Sequence, residues 1–316
     1  VTADRPNAVP MSVASTIQRR LVLRLASEDD YLLLNVDKDV LNAASPPGRG
    51  VLEGNEVQVA ILGGDSNLAV QARKLTGLAE SMVRNGVVRA PGVGRLPAQV
   101  ELSGLPSSRN DQPVFGVDDE TLLPAALEPR GTLLLTGPPG SGRTTALLAL
   151  AQAMRRARPA VRIVLMTPMR SPLIGLPVFD ASFTSPESIA TAADQLSADI
   201  ESGRVSAGGV VVLLEALADL TDTAAMLPVE RLVKACVRGD QFVVGESESS
   251  AWGQAWVLAQ PFKSGRRGLL LVPGDMDGDT LLGTSLGRFR RTDFPPGRGF
   301  LVSGGRARKV QVAVPS

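Results

Sequence analysis

Residues 137–145 read Gly-Pro-Pro-Gly-Ser-Gly-Arg-Thr-Thr, a glycine-rich loop with the spacing that cradles phosphates. In such a loop successive backbone N–H groups and the start of the next helix meet the anion, and a threonine hydroxyl serves magnesium. The expected phosphate contacts are Gly137, Pro138, Pro139, Gly140, Ser141, Gly142, Arg143, Thr144 and Thr145, with Thr144 as the magnesium hydroxyl. One position departs from the pattern: Arg143 stands where a lysine is expected. A guanidinium keeps its charge, but it is a longer planar fork and not the compact ammonium that sits between terminal phosphates. The blander alternative is a glycine- and proline-rich strand-to-helix turn.

Hydrolysis would ask for more than a cradle. Phosphoryl transfer needs a carboxylate on the magnesium side and a second one to polarise the attacking water. The candidate segment is Val210-Val-Val-Leu-Leu-Glu215-Ala216-Leu-Ala-Asp219-Leu220, an apolar strand that runs into one or two acids. Glu215 is the principal candidate and Asp219 the lesser one.

These residues need a scaffold, and the hydrophobic pattern supplies it. A strand over 131–136 leads into the loop, and a helix of strong formers follows over 145–156. Strands are expected at 161–166, 210–214 and 241–244, with helices over 187–202 and 229–238 between them. Fully apolar strands alternating with helices predict an α/β fold with a mostly parallel sheet covered on both faces. The run 269–272 and a glycine-rich hairpin near Ser303 suggest an appended antiparallel edge.

Composition narrows the classes. The chain has 316 residues, enough for about two domains, and 44% hydrophobic residues with only 3% aromatics, so its core is aliphatic. With 33 basic and 32 acidic residues the net charge is +1, which offers no global attraction to nucleic acid or membranes. The single cysteine, Cys236, excludes an internal disulfide and a thiolate metal cluster; on an apolar helix it is expected to be buried. Histidine is absent, which removes the commonest general base. No apolar run approaches the ~18 residues of a membrane span and no signal peptide is visible, so the expectation is a soluble, cytoplasmic piece. Val1 reads as mid-domain, which suggests a segment of something longer.

An internal echo points to the domain plan. Pro46-Pro-Gly-Arg-Gly50 recurs as Pro295-Pro-Gly-Arg-Gly299, and Val57-Gln-Val-Ala-Ile61 as Val310-Gln-Val-Ala-Val314. Upstream, Arg19-Arg-Leu-Val-Leu23 matches Arg266-Arg-Gly-Leu-Leu270. On this reading 1–63 is the end of one ATPase-like module, 64–100 a linker helix and loop, and 101–316 a complete second module. The connector helix is expected over 66–84, stopping at Asn85-Gly86, with linker from Ala90 to Pro97 and a new domain opening near Val100.

With these motifs in place the chain resembles the FtsK/SpoIIIE family of RecA-like motor ATPases. The family's second motif resembles four apolar residues followed by Asp-Glu-x-Ala-Asp-Leu, and Ala218-Asp219-Leu220 sets the register here. The resemblance then places Glu215 on the magnesium side and Ala216 where the catalytic glutamate is expected. A shift by one makes Glu215 the catalytic carboxylate and puts Leu214 on the metal side. Either way one of the two carboxylates is lost. Thr2-Ala-Asp-Arg5-Pro6 with Arg20, the stretch from Phe115 to Pro124, and Arg170-Ser-Pro-Leu173 are similar to further family segments, so the resemblance covers nearly the whole chain. Tandem modules of this kind occur in actinobacterial FtsK/SpoIIIE-like proteins and in the EccC/EssC motor of type VII secretion.

The resemblance implies ATP and magnesium as cofactors, a membrane-associated full-length motor, hexameric assembly and upstream modules as partners. Three functions follow as expectations. The first is a degenerate terminal module that binds ATP weakly or not at all and docks a partner, such as a small helical secreted protein, or regulates the active modules. The second is an active DNA translocase module, disfavoured by the near-neutral charge. The third is a non-hydrolysing ATP sensor. Arg49 and Arg298 in the repeated turns are expected to be structural more than nucleotide-facing. Arg266-Arg267 and Arg288-Phe-Arg-Arg291 are expected on solvated faces more than on phosphate backbones. Trp252 and Trp256, four apart, are expected to share a helix face and pack in the core.

Overall fold

The computed structural model describes residues 1–65, 67–88, 92 and 94–315. The chain divides into two compact units, Val1–Gly92 and Val93–Ser316. Ser66, Arg89, Ala90, Pro91 and Val93, on which parts of the expected connector fall, lie outside the described residues.

The first unit contains α1 (Met11–Ala14), β1 (Leu21–Leu23), α2 (Asp29–Leu33), β2 (Arg49–Leu52), β3 (Asn55–Gln58) and α3 (Leu68–Arg84). Its three strands form an antiparallel sheet in the order β1-β2-β3 around a small core of Val22, Tyr31, Val36, Leu41 and Val51. The Tyr31 hydroxyl accepts from the Leu25 N–H at 2.7 Å, so the buried ring leaves its polar end satisfied. Helix α3 starts at Asn67, whose side chain accepts from the Ala69 and Val70 N–H groups, and stops at Asn85 ahead of left-handed Gly86.

The second unit carries β4 (Ser108–Arg109), β5 (Gln112–Asp118), β6 (Pro124–Ala126), β7 (Gly131–Gly137), α4 (Arg143–Ala157), β8 (Arg162–Met166), β9 (Ala181–Phe183) and α5 (Pro186–Glu201). Then come β10 (Val210–Leu214), α6 (Met226–Arg238), β11 (Phe242–Glu248), α7 (Trp256–Gly265), β12 (Gly268–Leu271), α8 (Asp277–Leu282), β13 (Arg298–Ser303) and β14 (Arg306–Val312). The sheet runs β4-β5-β14-β13-β12-β7-β11-β10-β8-β9, with β6 beside β5. From β12 to β9 it is parallel, and β13, β14, β5, β6 and β4 make an antiparallel edge.

Two cores flank the sheet, divided by the two-residue period of its strands. Leu133, Leu135, Ile163, Leu165, Val211, Leu213, Phe242 and Val244 face α4, whose Ala146, Leu147, Leu150, Ala151 and Met154 supply the other half. Leu134, Val164, Met166, Val212, Leu214 and Val243 point the opposite way, against α5, α6 and α7. This is the architecture expected of a RecA-like α/β domain, and it explains why the inner parallel strands β7, β8, β10, β11 and β12 carry apolar residues at consecutive positions. Cys236 lies fully buried in the second core, and burial pushes its thiol up to about 12. It is therefore expected to resist iodoacetamide at pH 8 in the folded protein and to label fully in denaturant. Rapid native labelling would mean that the α6 face opens.

The internal echo has a structural counterpart. In both units the proline-proline-glycine-arginine turn opens a hairpin, and the arginine at its start faces a glutamine on the returning strand. Arg49 stands opposite Gln58 and Arg298 opposite Gln311. Arg49 Nε donates to Gln58 Oε1 at 2.9 Å, and Arg298 Nε to Gln311 Oε1 at 3.1 Å. Each glutamine returns its amide to the second proline carbonyl, Gln58 to Pro47 and Gln311 to Pro296. The third residue of each turn, Gly48 or Gly297, has φ near 80° (82° and 77°), a left-handed conformation suited to glycine. Both arginines thus serve their own turns, in line with the structural expectation. Arg298 also donates to the Leu96 and Pro97 carbonyls at 3.0 and 2.6 Å.

Other expectations need correction. Trp252 and Trp256 do not share a helix face, because a separate turn over Ala251–Gly253 ends before α7 begins at Trp256. Trp252 is fully buried against Phe262, while Trp256 is 65% exposed. Arg267 is not on a free face: it donates to the Glu128 carbonyl at 2.6 Å and to that of Arg130. Strand β11 runs on to Glu248, four residues beyond its apolar run, and that extension bears on the site.

Candidate nucleotide site

The loop leaves the C-terminal end of β7 and turns into α4. Gly140 and Gly142 take φ of 77° and 93°, and Gly142 is the residue before the helix. With no side chain at that position to cap α4, its first-turn N–H groups face outward, as an anion cradle requires. The loop is held from behind by the second repeated turn, where the Gly297 N–H donates to the Ser141 carbonyl at 2.9 Å. Beside it lies a cleft of about 320 Å³ lined by Gly142, Thr145, Ala146, Pro296 and Gln311 among others.

The sheet order brings the acids to this loop. Strand β11 lies between β7 and β10, with Glu246 level with Leu135 and Gly245 level with Leu214. The ends of all three strands therefore converge where the loop begins. Glu215, 2% exposed, follows β10 directly; its Oε1 accepts from the Thr144 hydroxyl at 3.3 Å. Ala216, next in line, has a left-handed backbone (φ 51°, ψ 47°) and turns the chain toward the short helical turn Leu217–Leu220. Asp219 sits on that turn, exposed to solvent. The structure thus joins Thr144 to Glu215 and leaves Asp219 at the rim.

Glu246 is the acid that the sequence reading missed. It is 4% exposed, its Oε1 pairs with Arg143 Nε at 2.7 Å, and its Oε2 accepts from the Ala216 N–H at 2.9 Å. Arg143 completes the contact by donating from Nη1 to the Gly137 carbonyl at 2.6 Å. Burial raises the Glu246 carboxyl above its usual range; the Ala216 N–H and Arg143 oppose this, while Glu215 and Asp219 add to it. The available signal was a pair of acids, Glu246 and Glu248, at the end of an apolar run, the place where parallel sheets present functional groups. A further network sets the strand ends. Thr136 Oγ1 donates to the Ser247 carbonyl at 2.9 Å, and Ser247 Oγ accepts from the Ala218 N–H at 2.9 Å.

Two buried polar atoms here have no hydrogen-bond partner: Ser141 Oγ in the loop and Glu215 Oε2 beside it. Such atoms are costly unless something meets them, and a hydrated magnesium–phosphate group fits that need. Among the described residues no group of three or more acids, histidines or cysteines could hold a metal alone. Magnesium with nucleotide does not require one, since it keeps several waters and takes one or two protein ligands.

No protein-family model and no curated protein sequence matches the chain. Solved structures do. The cytoplasmic domain of the Thermomonospora curvata type VII secretion ATPase EccC matches with a TM-score of 0.63 at 18% identity, over 93% of this chain and 37% of that one. EccC ATPases 2 and 3 of the same organism, in complex with a signal sequence peptide, match with a TM-score of 0.65 at 19% identity, over 96% and 60%. EssC ATPases 2 and 3 from Geobacillus thermodenitrificans match with a TM-score of 0.62 at 16% identity, over 99% and 64%. The chain therefore spans from about a third to about two-thirds of these structures. Among the described residues no helix is long and apolar enough to cross a membrane. The chain shares the P-loop ATPase fold of these EccC and EssC domains.

Proposed function

We propose that this chain is a segment of a tandem P-loop motor of the EccC/EssC kind, and that its second unit is a degenerate ATPase module. The observation that carries the reading is the acid complement of the loop: Glu215 faces Thr144, Ala216 offers no carboxylate, and Glu246 is committed to Arg143. Thr144 and Glu215 would hold magnesium, which when bound neutralises charge on the terminal phosphates. Gly137 to Thr145 would hold the phosphates through backbone N–H groups. In the register where Ala216 takes the place of the water-polarising acid, that position has no carboxylate to orient the attacking water. The module then binds ATP weakly or not at all, turns it over slowly, and docks a partner or regulates active modules upstream.

The repeated hairpin supports the reading of 1–63 as the end of an upstream RecA-like module, joined through 64–100 to the module at 101–316. In the second unit that hairpin rests on β12 and braces a phosphate loop. The first unit carries the same hairpin, with β1 in the place of β12. Hexameric assembly, membrane association of the full-length protein and a secreted helical substrate belong to the same proposal. The signal peptide bound to the T. curvata neighbour supports the last of these.

Steady-state ATP turnover of the purified chain, with and without duplex DNA, tests the reading. The expected rate is at least ~10³-fold below the ~10 s⁻¹ typical of enzymes, and unchanged by DNA. DNA-stimulated turnover at ordinary enzyme rates would replace this proposal with a translocase module.

A further inference from the structure

We infer that Glu246 sets the nucleotide affinity of this module by holding Arg143 away from the phosphates, so that a nucleoside triphosphate must displace Glu246 from the guanidinium in order to bind. The inference rests on the reading of residues 137–145 as a phosphate loop and adds the group that regulates it.

Arg143 is the only basic side chain among residues 137–145, and both of its anchors are internal. Nη1 donates to the carbonyl of Gly137, the first residue of the loop, and Nε pairs with Glu246 Oε1. The guanidinium is thereby drawn back to the strand ends, with its charge already neutralised. A terminal phosphate can recruit it only by taking over from Glu246. That exchange would leave a carboxylate that is 4% exposed without its cation, beside the acids Glu215 and Asp219. Stripping one partner from a buried ion pair is strongly unfavourable, so the exchange weakens binding.

A lysine would not be held in the same way. Its ammonium is a point charge on a flexible stem, whereas the arginine fork engages Glu246 and the Gly137 carbonyl at once through two of its nitrogens. Glu246 is held in turn by the Ala216 N–H, at the position that lacks a carboxylate. It is a positioning residue that acts through Arg143.

Calorimetry with magnesium–ATP on the wild-type chain and on Glu246→Gln, Arg143→Ala/Glu246→Gln and Arg143→Lys tests this. Glutamine keeps the shape and an oxygen to accept the Ala216 N–H, so thermal melting should stay within a few degrees of wild type. Glu246→Gln is expected to tighten binding about tenfold or more, as expected when a binding-competent state is freed. The double variant should lose that gain, because the gain requires the arginine; a merely structural glutamate would not show this dependence. Glu246→Asp, which keeps the charge but shortens the reach, should fall between and serves if Glu246→Gln folds poorly. If Glu246→Gln binds no better than wild type while Arg143→Lys binds ATP, the loop is a phosphate site and the inference is wrong. If none of these proteins binds ATP, residues 137–145 hold no nucleotide and the inference is wrong, while the reading as a degenerate module stands.

Discussion

Replacing Gly142 by aspartate is expected to abolish magnesium–ATP binding at a modest cost in stability that leaves the protein folded. Gly142 has φ 93°, and a Cβ there would stand 3.2 Å from the Gly297 backbone nitrogen. That combination of strain and crowding costs about 1–3 kcal/mol. As a helix cap aspartate returns only about a few tenths of a kcal/mol over glycine. The cost prevails, so the melting temperature should fall by several degrees while the protein stays folded. Binding behaves differently, because the new carboxylate occupies the donors that phosphate would use and repels it. A loss of at least ~100-fold, about 2.7 kcal/mol, is expected in the Glu246→Gln background, where binding should be strongest. Undiminished ATP binding would mean that the nucleotide sits elsewhere.

The largest effect on stability is expected at Trp252. Its ring is fully buried between the sheet and α7, edge-on to Phe262 at 5.7 Å between centroids. Truncation to alanine removes that burial and leaves a cavity, for a loss of about 3–5 kcal/mol. In a unit of this size the melting temperature should drop by roughly 10 °C. Trp252→Phe should cost much less, because the indole nitrogen is buried without a partner and its removal relieves an unpaired donor. Trp256→Ala, at a side chain 65% exposed, should change stability by no more than about 0.5 kcal/mol. Equal losses at the two tryptophans would contradict the packing described above.

The contrast between these two residues shows where a sequence reading ends. A spacing of four suggests a common helix face, but that holds only if one helix spans both positions. Here the chain breaks between Gly253 and Trp256, and one ring is drawn inward while the other is left outside. The repeated arginines went the other way. Gly-Arg-Gly after two prolines already implies a turn, and each guanidinium bonds the glutamine of its own hairpin, with Arg298 reaching the Leu96 and Pro97 carbonyls as well.

Local pattern was enough for the phosphate loop, the strand before it and the helix after it, because all three are contiguous and their spacing is itself the geometry. It was enough, too, to see that a single acid, Glu215, stands directly after the apolar strand 210–214, where the resemblance implies two in succession. Fully apolar strands alternating with helices then implied a mostly parallel sheet with two covered faces, because a strand buried on both sides is apolar at consecutive positions. What the pattern could not supply was the neighbour of each strand. Strand β11 inserts between β7 and β10, and that order brings Glu246 to Arg143 from far along the chain. Lateral strand order depends on long-range packing, which leaves no periodic trace in the residues themselves. The sequence determined that a glycine-rich loop of phosphate-loop spacing joins a strand to a helix and that Glu215 follows the strand at 210–214; only the tertiary structure decided which acid holds the loop's arginine.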